Sequence, residues 1–319
     1  MEKKTDETKQ PLEILVKVPL QTETRTKEEP TKSWKIPFLC LIWFLATICN
    51  MFAVKIFLRV MKFEFASTIM IVQLASTSLY TWIFSIIWGV PKNNKEVSRL
   101  TYVKLILPVA VSIFIRTRIK SYLIWTTPIS DPFSLSVDAL YPLCMLLFAR
   151  KLLAEEENID YGFALLVAVL GGGFVFGFTL WDLHRLWLIE IVAFAIMIAF
   201  EMVFSKKIMQ ETGIHPTKLL AGISAFVLLG LVPIWLVETQ WLFYLPYTPK
   251  VLCTEVITGL FVFGALTFVQ TAAAFGLLST LPVHHYLIGN GCNRMIRIVT
   301  FMLVATFYEI GYRAGDFDS

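Results

Sequence analysis

Two arginines stand inside one of the most apolar regions of the chain: Arg294 and Arg297, in the stretch LPVHHYLIGNGCNRMIRIV from Leu281 to Val299. A guanidinium in a membrane span is costly and must face a polar cavity or a buried partner rather than lipid. Its planar fork of donors suits a phosphate or carboxylate, which makes Arg294 the first candidate for ligand contact. One carboxylate is similarly isolated. Asp138 lies four residues before Pro142 in DPFSLSVDALYPLCMLLFAR, and three roles are open to it: counter-charge to Arg294, proton carrier, or ligand for a cationic substrate. If Asp131-Pro132 delays the start of its helix, Asp138 is instead a solvated loop residue.

Other charges are grouped by helical spacing. Arg116 and Lys120 are four apart and so share a helix face, where they would present two cations to a ligand; the alternative is that both snorkel to lipid headgroups. Arg118 points elsewhere and is expected at the interface. Glu190 and Glu201 are eleven apart, on roughly one face. Glu201 is close enough to Lys206-Lys207 to cap that end of its helix, and Glu190 is expected to meet solvent near the other end. His284 and His285 are adjacent, so they diverge by about a hundred degrees on a helix and read as a polar helix entrance rather than a metal site. Gly171-Gly172-Gly173, Gly177, Gly259 and Gly264 allow close helix approach; none is followed by the Lys-Ser/Thr of a phosphate-binding loop. Cys40, Cys49, Cys144, Cys253 and Cys292 form no Cys-x-x-Cys pair and read as small residues of apolar helices. No nucleophile with a base and no metal cluster recurs, so neither an enzyme nor a cofactor is expected.

The elements that must position these residues are membrane helices. Of 319 residues 56% are hydrophobic and 16% charged, with a mean hydropathy of +0.68. Apolar runs of about 20 residues, each enough to cross a bilayer, are separated by short polar loops, which is the pattern of an all-α polytopic membrane protein. The short alternating segments of a membrane β-barrel are absent. Nine helices are expected, at about Trp34 to Val54, Phe63 to Val90, Thr101 to Trp125, Phe133 to Leu153, Tyr161 to Leu180, Leu186 to Phe204, Leu219 to Val237, Val251 to Leu278 and Val283 to Phe307. Loops after the second, fourth and sixth carry most of the Lys and Arg, so the N-terminus is expected in the cytosol; Lys55, Arg59 and Lys62 in the first loop run against this. Residues 1–33 balance seven basic against seven acidic side chains and read as a disordered cytosolic tail. Residues 34–308 are expected to form one transmembrane domain, and 309–319 a short polar tail. The net charge of +4 sits mostly in loops and invites no nucleic acid.

Four stretches in order resemble the triose-phosphate and nucleotide-sugar transporters. They are IWFLATICNMFAVKIFLRVMKFEFASTIMIVQL with Asn50 and Gln73, the segment from Asp131 to Glu157 with Phe133, Pro142 and Glu155, FEMVFSKKIM with Ser205-Lys206-Lys207, and the late helix with Pro282, Gly289-Asn290 and Arg294. The resemblance implies the drug/metabolite-transporter fold, an inverted-repeat bundle of ten helices in two halves with substrate held midway. This chain stops at Ser319, and the expectation is nine spans with the tenth missing. The family's cationic centre is only partly kept: its fourth-helix Lys falls on Asp138, its ninth-helix Lys on Asn293, and its Arg on Arg294. Its third-helix His and Thr fall on Ile119 and Tyr122, and its eighth-helix Tyr on Gln270. Substrate contact is therefore expected from Arg294, Asn293, Asp138, Arg116, Lys120, Tyr122 and Gln270.

What the resemblance implies is alternating-access antiport of a sugar phosphate or nucleotide sugar. The expected partners are an anionic sugar derivative, a counter-substrate and membrane lipid, and a homodimer is allowed. The setting is a Golgi or endoplasmic-reticulum membrane, since the acid-rich N-terminal stretch is unlike an organelle transit peptide. Loss of two family lysines leaves two alternatives open: a non-transporting scaffold of the same fold, or a carrier of neutral or cationic metabolites using Asp138.

Overall fold

The computed structural model describes residues 34–55, 66–90, 98–126, 130–153, 185–239 and 254–315. They form eight helices: α1 (Lys35–Lys55), α2 (Ala66–Ile87), α3 (Arg99–Thr126), α4 (Ser130–Leu152), α5 (Arg185–Thr212), α6 (Pro216–Thr239), α7 (Thr254–Thr280) and α8 (Val283–Gly315). No strand occurs among the described residues. The expected tail 1–33 and the expected span at 161–180 lie outside them. The chain divides after Lys35 into two units, and the helices below belong to the second, Ile36–Ser319.

Local chemistry sets the helix ends. Gly213 takes φ +66°, a left-handed conformation that costs glycine nothing, and its N–H returns to the Met209 carbonyl at 3.0 Å, so α5 stops there. Pro216 then opens α6, where its missing N–H would have had no helical partner anyway. His215 Nδ1 accepts the Thr217 N–H at 3.4 Å. Burial and the charge of Lys218 hold this imidazole below its usual pKa, which favours the neutral ring that can accept. Two helices run eight residues past their expected C-terminal ends. α5 continues eight residues past Phe204 because Ile208 and Met209 pack into the core, and α8 continues through Gly315 across a segment without proline. Asp131-Pro132 does not delay α4. The helix begins at Ser130 and Pro132 lies in its first turn, where proline is tolerated.

The most extensive packing joins α4 to α5 and α2 to α6, with α3 lying against both α5 and α6, and α8 reaching α4 and α7. α3 and α6 run parallel. Tyr102 Oη donates to the Lys218 carbonyl near both starts (3.4 Å). Phe114 lies over Gly230 midway, and Arg118 Nη2 stands 2.5 Å from Glu238 Oε1 near both ends. Gly264 of α7 makes the close approach expected of it, since a Cβ there would overlap the Ser76 side chain of α2.

Polarity is inverted relative to a water-soluble protein. Leu229 is 74% exposed and Trp88 68%, whereas Asp138, Glu201 and Arg294 are 5%, 4% and 8% exposed. Five of the described helices have segments long and apolar enough to cross a membrane: Lys35–Ala53, Thr68–Ile87, Leu100–Ile119, Pro216–Glu238 and Thr258–Thr280. The other three carry Asp138, Glu201 and Arg294.

Candidate functional site

The charged core is built where α4 meets α8. Arg294 and Arg297 are three residues apart and share a face of α8, and both turn to one carboxylate. Arg294 Nη1 donates to Asp138 Oδ1, while Arg297 Nη1 stands 3.1 Å from Asp138 Oδ2. The second contact is an ion pair by distance only, since Oδ2 has no hydrogen bond of good geometry. Pro142 matters here for a local reason. It has no N–H to give the carbonyl four residues earlier, which is that of Asp138, so the helical ladder is opened at the acidic residue itself. Tyr141, fully buried, lies under the guanidinium with Arg294 Cζ 3.9 Å from the ring centroid, a cation–π contact that holds the charge without consuming a donor. Its hydroxyl meets Met145 Sδ at 2.9 Å.

This cluster is incompletely satisfied. Arg294 Nε and Asn293 Oδ1 are buried and have no hydrogen-bond partner among the described residues. Buried polar atoms are rarely left so, because each costs its full desolvation. Arg294 Nε is thus left as a donor suited to an anionic oxygen, and Asn293 Oδ1 as an acceptor suited to a hydroxyl.

A second buried pair, between α3 and α5, is closed. Arg116 Nε donates to Glu201 Oε1 at 3.0 Å, Arg116 Nη2 lies 2.9 Å from Oε2, and Ser112 Oγ donates to Oε1 at 3.2 Å. The fork of Arg116 is thus engaged by a carboxylate of the protein, against the expectation that it would join Lys120 as a free cation. Lys120 and Tyr122 lie on α3, but their side chains are outside the described residues. Glu201 does not cap the helix end with Lys206-Lys207. Lys206 Nζ donates instead to the Leu281 carbonyl at 2.7 Å, and Lys207 stands 3.8 Å from Glu211. Arg118 does lie away from the core, paired with Glu238 with about a third of each side chain exposed. Glu190 is half-buried, its Oε2 covered and without a hydrogen bond, so it does not meet solvent freely.

Gln270 belongs to a third, uncharged group. Asn50 Nδ2 donates to Gln270 Oε1 at 2.6 Å, Thr267 Oγ1 donates to Asn50 Oδ1 at 3.4 Å, and Gln73 Nε2 donates to Thr267 at 3.4 Å. These bonds tie α1, α2 and α7 together. Trp43 of α1 stacks on Tyr286 of α8, ring centroids 5.7 Å apart, which brings α1 to the helix that carries the arginines. Sequence reasoning missed three participants: Arg297 as a second partner of Asp138, Tyr141 beneath Arg294, and Ser112 on Glu201. Only Arg297 left a signal, its three-residue spacing from Arg294. Among the described residues no group of His, Cys, Asp and Glu is placed to hold a metal, and Cys40, Cys49, Cys144 and Cys292 are free thiols.

Asp138 and Arg294 meet although they are 156 residues apart in the chain, on two helices that the sequence comparison treats as parts of one transporter. The sequence model of the Triose-phosphate Transporter family matches residues 34–307. The chain belongs to this family. Membership implies a multi-pass membrane transporter of sugar phosphates or nucleotide sugars, not an enzyme. Within this transporter the positions expected to bear the family's two lysines hold Asp138 and Asn293, which leaves Arg294 and Arg297 as the cations of the α4–α8 cluster.

Proposed function

We propose that the protein is an antiporter that carries an anionic sugar derivative by alternating access, with Arg294 as the direct contact to the anion. The observation that carries this reading is on α8: Arg294 Nε and Asn293 Oδ1 are each buried and without a hydrogen-bond partner among the described residues. Charge-assisted donors of a guanidinium fit phosphate oxygens in bidentate fashion, and an amide oxygen beside them accepts a sugar hydroxyl. Membership of the transporter family supports this reading: in an alternating-access exchanger two inverted halves would rock about this midplane cluster. Asn293 and Asp138 complete the contact set. Lys120 and Tyr122 are kept as contributors from α3, Gln270 as a neutral one from α7, and Arg116 as support held by Glu201.

We assign nine spans with a cytosolic N-terminus, in a Golgi or endoplasmic-reticulum membrane. What supports the count is the parallel run of α3 and α6. α3 and α4 are joined by a short connection and must reverse, and so are α5 and α6. The end of α4 and the start of α5 then fall on opposite sides, which agrees with the span that the sequence leads one to expect at 161–180. Protease protection of tags before Met1 and after Ser319 in sealed microsomes tests this; nine spans place the two tags on opposite sides, and cleavage of both from the outside contradicts it.

Reconstituted into liposomes, the protein should take up a sugar phosphate or nucleotide sugar against preloaded counter-substrate. A scaffold reading is favoured by one observation, that Asp138 already occupies both arginines, and failure of every member of an anionic panel would establish it. A cationic substrate at Asp138 is disfavoured, since it would have to sit against Arg294 and Arg297.

A further inference from the structure

We propose that Asp138 is a displaceable internal anion: it holds Arg294 and Arg297 in the empty transporter, and takes up a proton from the facing aqueous compartment when a substrate anion replaces it. This rests on the reading of Arg294 as the anion contact and adds to it a proton that binds and leaves with the substrate.

The argument is one of charge in a confined volume. The groups that face Asp138 can be named from each helix packed against α4. α8 brings Arg294 and Arg297. α5 brings Glu201, already neutralised by Arg116 of α3. On α4 itself lies Tyr141, within electrostatic reach of Asp138, Arg294 and Glu201 alike. Among the described residues of the α4–α8 contact, two guanidinium groups share one carboxylate. A dianion entering such a contact would be under-compensated, and it would face Asp138 directly, because both want the same guanidinium donors. Two anions sharing one buried site do not both stay ionised; the pyrophosphate diester of a nucleoside-diphosphate hexose is a weaker base than a carboxylate, and a phosphate monoester takes both guanidinium groups as it enters, so the carboxylate that loses them is the group that takes the proton. Protonating Asp138 releases both guanidinium groups to the two negative charges of the substrate.

The geometry shows a carboxylate suited to leave. Its Oδ2 has only the distance contact to Arg297 and no hydrogen bond, whereas both oxygens of Glu201 are bonded. Its own carbonyl is released from the helical ladder by Pro142, which gives the backbone there more freedom than in a continuous helix. A protonated Asp138 would also become a donor, and the unpartnered Asn293 Oδ1 on the facing helix is an acceptor. The step balances simply. A proton from water joins the carboxylate, the Arg294 and Arg297 contacts pass from Asp138 to the substrate anion, and the proton returns to water when the anion departs.

Isothermal titration of the full-length protein in detergent tests this, with a hexose phosphate and a nucleoside-diphosphate hexose as probes. At about pH 8 the phosphate probe is already fully ionised, since its second pKa is about 6. The heat is measured in two buffers of different ionisation enthalpy, so that proton uptake is read separately from binding. The expected result is uptake of about one proton per bound anion, with Kd weakening about tenfold per pH unit as the pH rises through this range. In Asp138→Asn the proton uptake and the pH slope should vanish and binding should tighten severalfold. Should that variant fold poorly, Asp138→Asn with Arg297→Gln restores the charge balance and should show the same lost slope. Anion binding by the wild type with no proton uptake overturns the proposal while leaving the transport reading intact. Absence of binding by every probe overturns both.

Discussion

The two buried ion pairs of this transporter are alike in chemistry and opposite in completeness. Between α3 and α5, Arg116 and Glu201 meet fork to carboxylate, with Ser112 donating to the same Oε1 that accepts Arg116 Nε. Between α4 and α8, one carboxylate is shared by two arginines, and a donor on Arg294 and an acceptor on Asn293 are left over. The contrast separates a fastening from a site. A closed pair has nothing to offer a ligand, and its removal costs stability alone. An open pair is already under-satisfied and gains by taking on another partner.

The comparison is broken most severely by removing one member of each pair. Taking away one partner of a buried ion pair typically costs about 3 to 5 kcal/mol, because the other charge is left uncompensated, whereas removing both is often nearly neutral. Glu201→Gln and Asp138→Asn should each lower thermal stability in detergent toward that range, with Glu201→Gln at its lower end because the Arg116 side chain is 27% exposed. The double variants Arg116→Gln/Glu201→Gln and Asp138→Asn/Arg294→Gln should recover most of the loss. Strictly additive losses in either cycle would show that its two residues do not interact.

Ligand sharpens the same contrast. A bound anion at a hundred times its Kd adds about 2.7 kcal/mol, so a saturating sugar phosphate should raise the melting temperature of Asp138→Asn well toward that of wild type. It should not rescue Glu201→Gln by more than it stabilises wild type. Equal rescue of both variants would erase the distinction between the pairs.

A smaller effect is expected where a charged side chain donates to backbone. Lys206 donates to the Leu281 carbonyl, and a hydrogen bond to a charged group contributes about 1.5 to 3 kcal/mol. Lys206→Met keeps the apolar stem and removes this bond, for an expected loss of about that size in a thermal melt. The smallest change concerns packing without charge: Gly264→Ala drives a Cβ into Ser76, and overpacking typically costs about 1 to 3 kcal/mol. Ser76→Gly in the same chain should return the loss, and failure to do so would mean that the two helices are not in contact there.

Much of this was legible in the sequence. Asp138 and Arg294 announced themselves as charges in apolar helices, where such a residue needs a partner, and each is the other's. That Arg297 also reaches Asp138 was available from its three-residue spacing, but the carboxylate it would choose was not. Arg116 shows in the sequence only as a cation on the same face as Lys120, open to a ligand or to lipid headgroups; its partner Glu201 lies on another helix, and helix periodicity says nothing about which faces of different helices meet. The closed fork therefore became visible only in three dimensions. Tyr141 gave no signal at all, since an aromatic residue in an apolar helix is ordinary until a guanidinium is placed over it. Helix existence was readable from apolar length, and helix ends less so: α5 overran its expected limit because buried Ile208 and Met209 continue the packing beyond charged Lys206 and Lys207.

The central claim is that the anion is held by Arg294 in the open pair and not by Arg116 in the closed one. It is tested most directly by titrating a sugar phosphate into purified Arg294→Ala and into Arg116→Gln/Glu201→Gln, and comparing Kd with wild type. Truncating one partner of a buried charge pair in an interface costs about 2 to 5 kcal/mol. The account predicts a loss of that size for Arg294→Ala in properly folded protein, and a Kd within about threefold of wild type for the α3–α5 double variant, less than 1 kcal/mol. Wild-type affinity in Arg294→Ala, or a large loss confined to the α3–α5 variant, would contradict it.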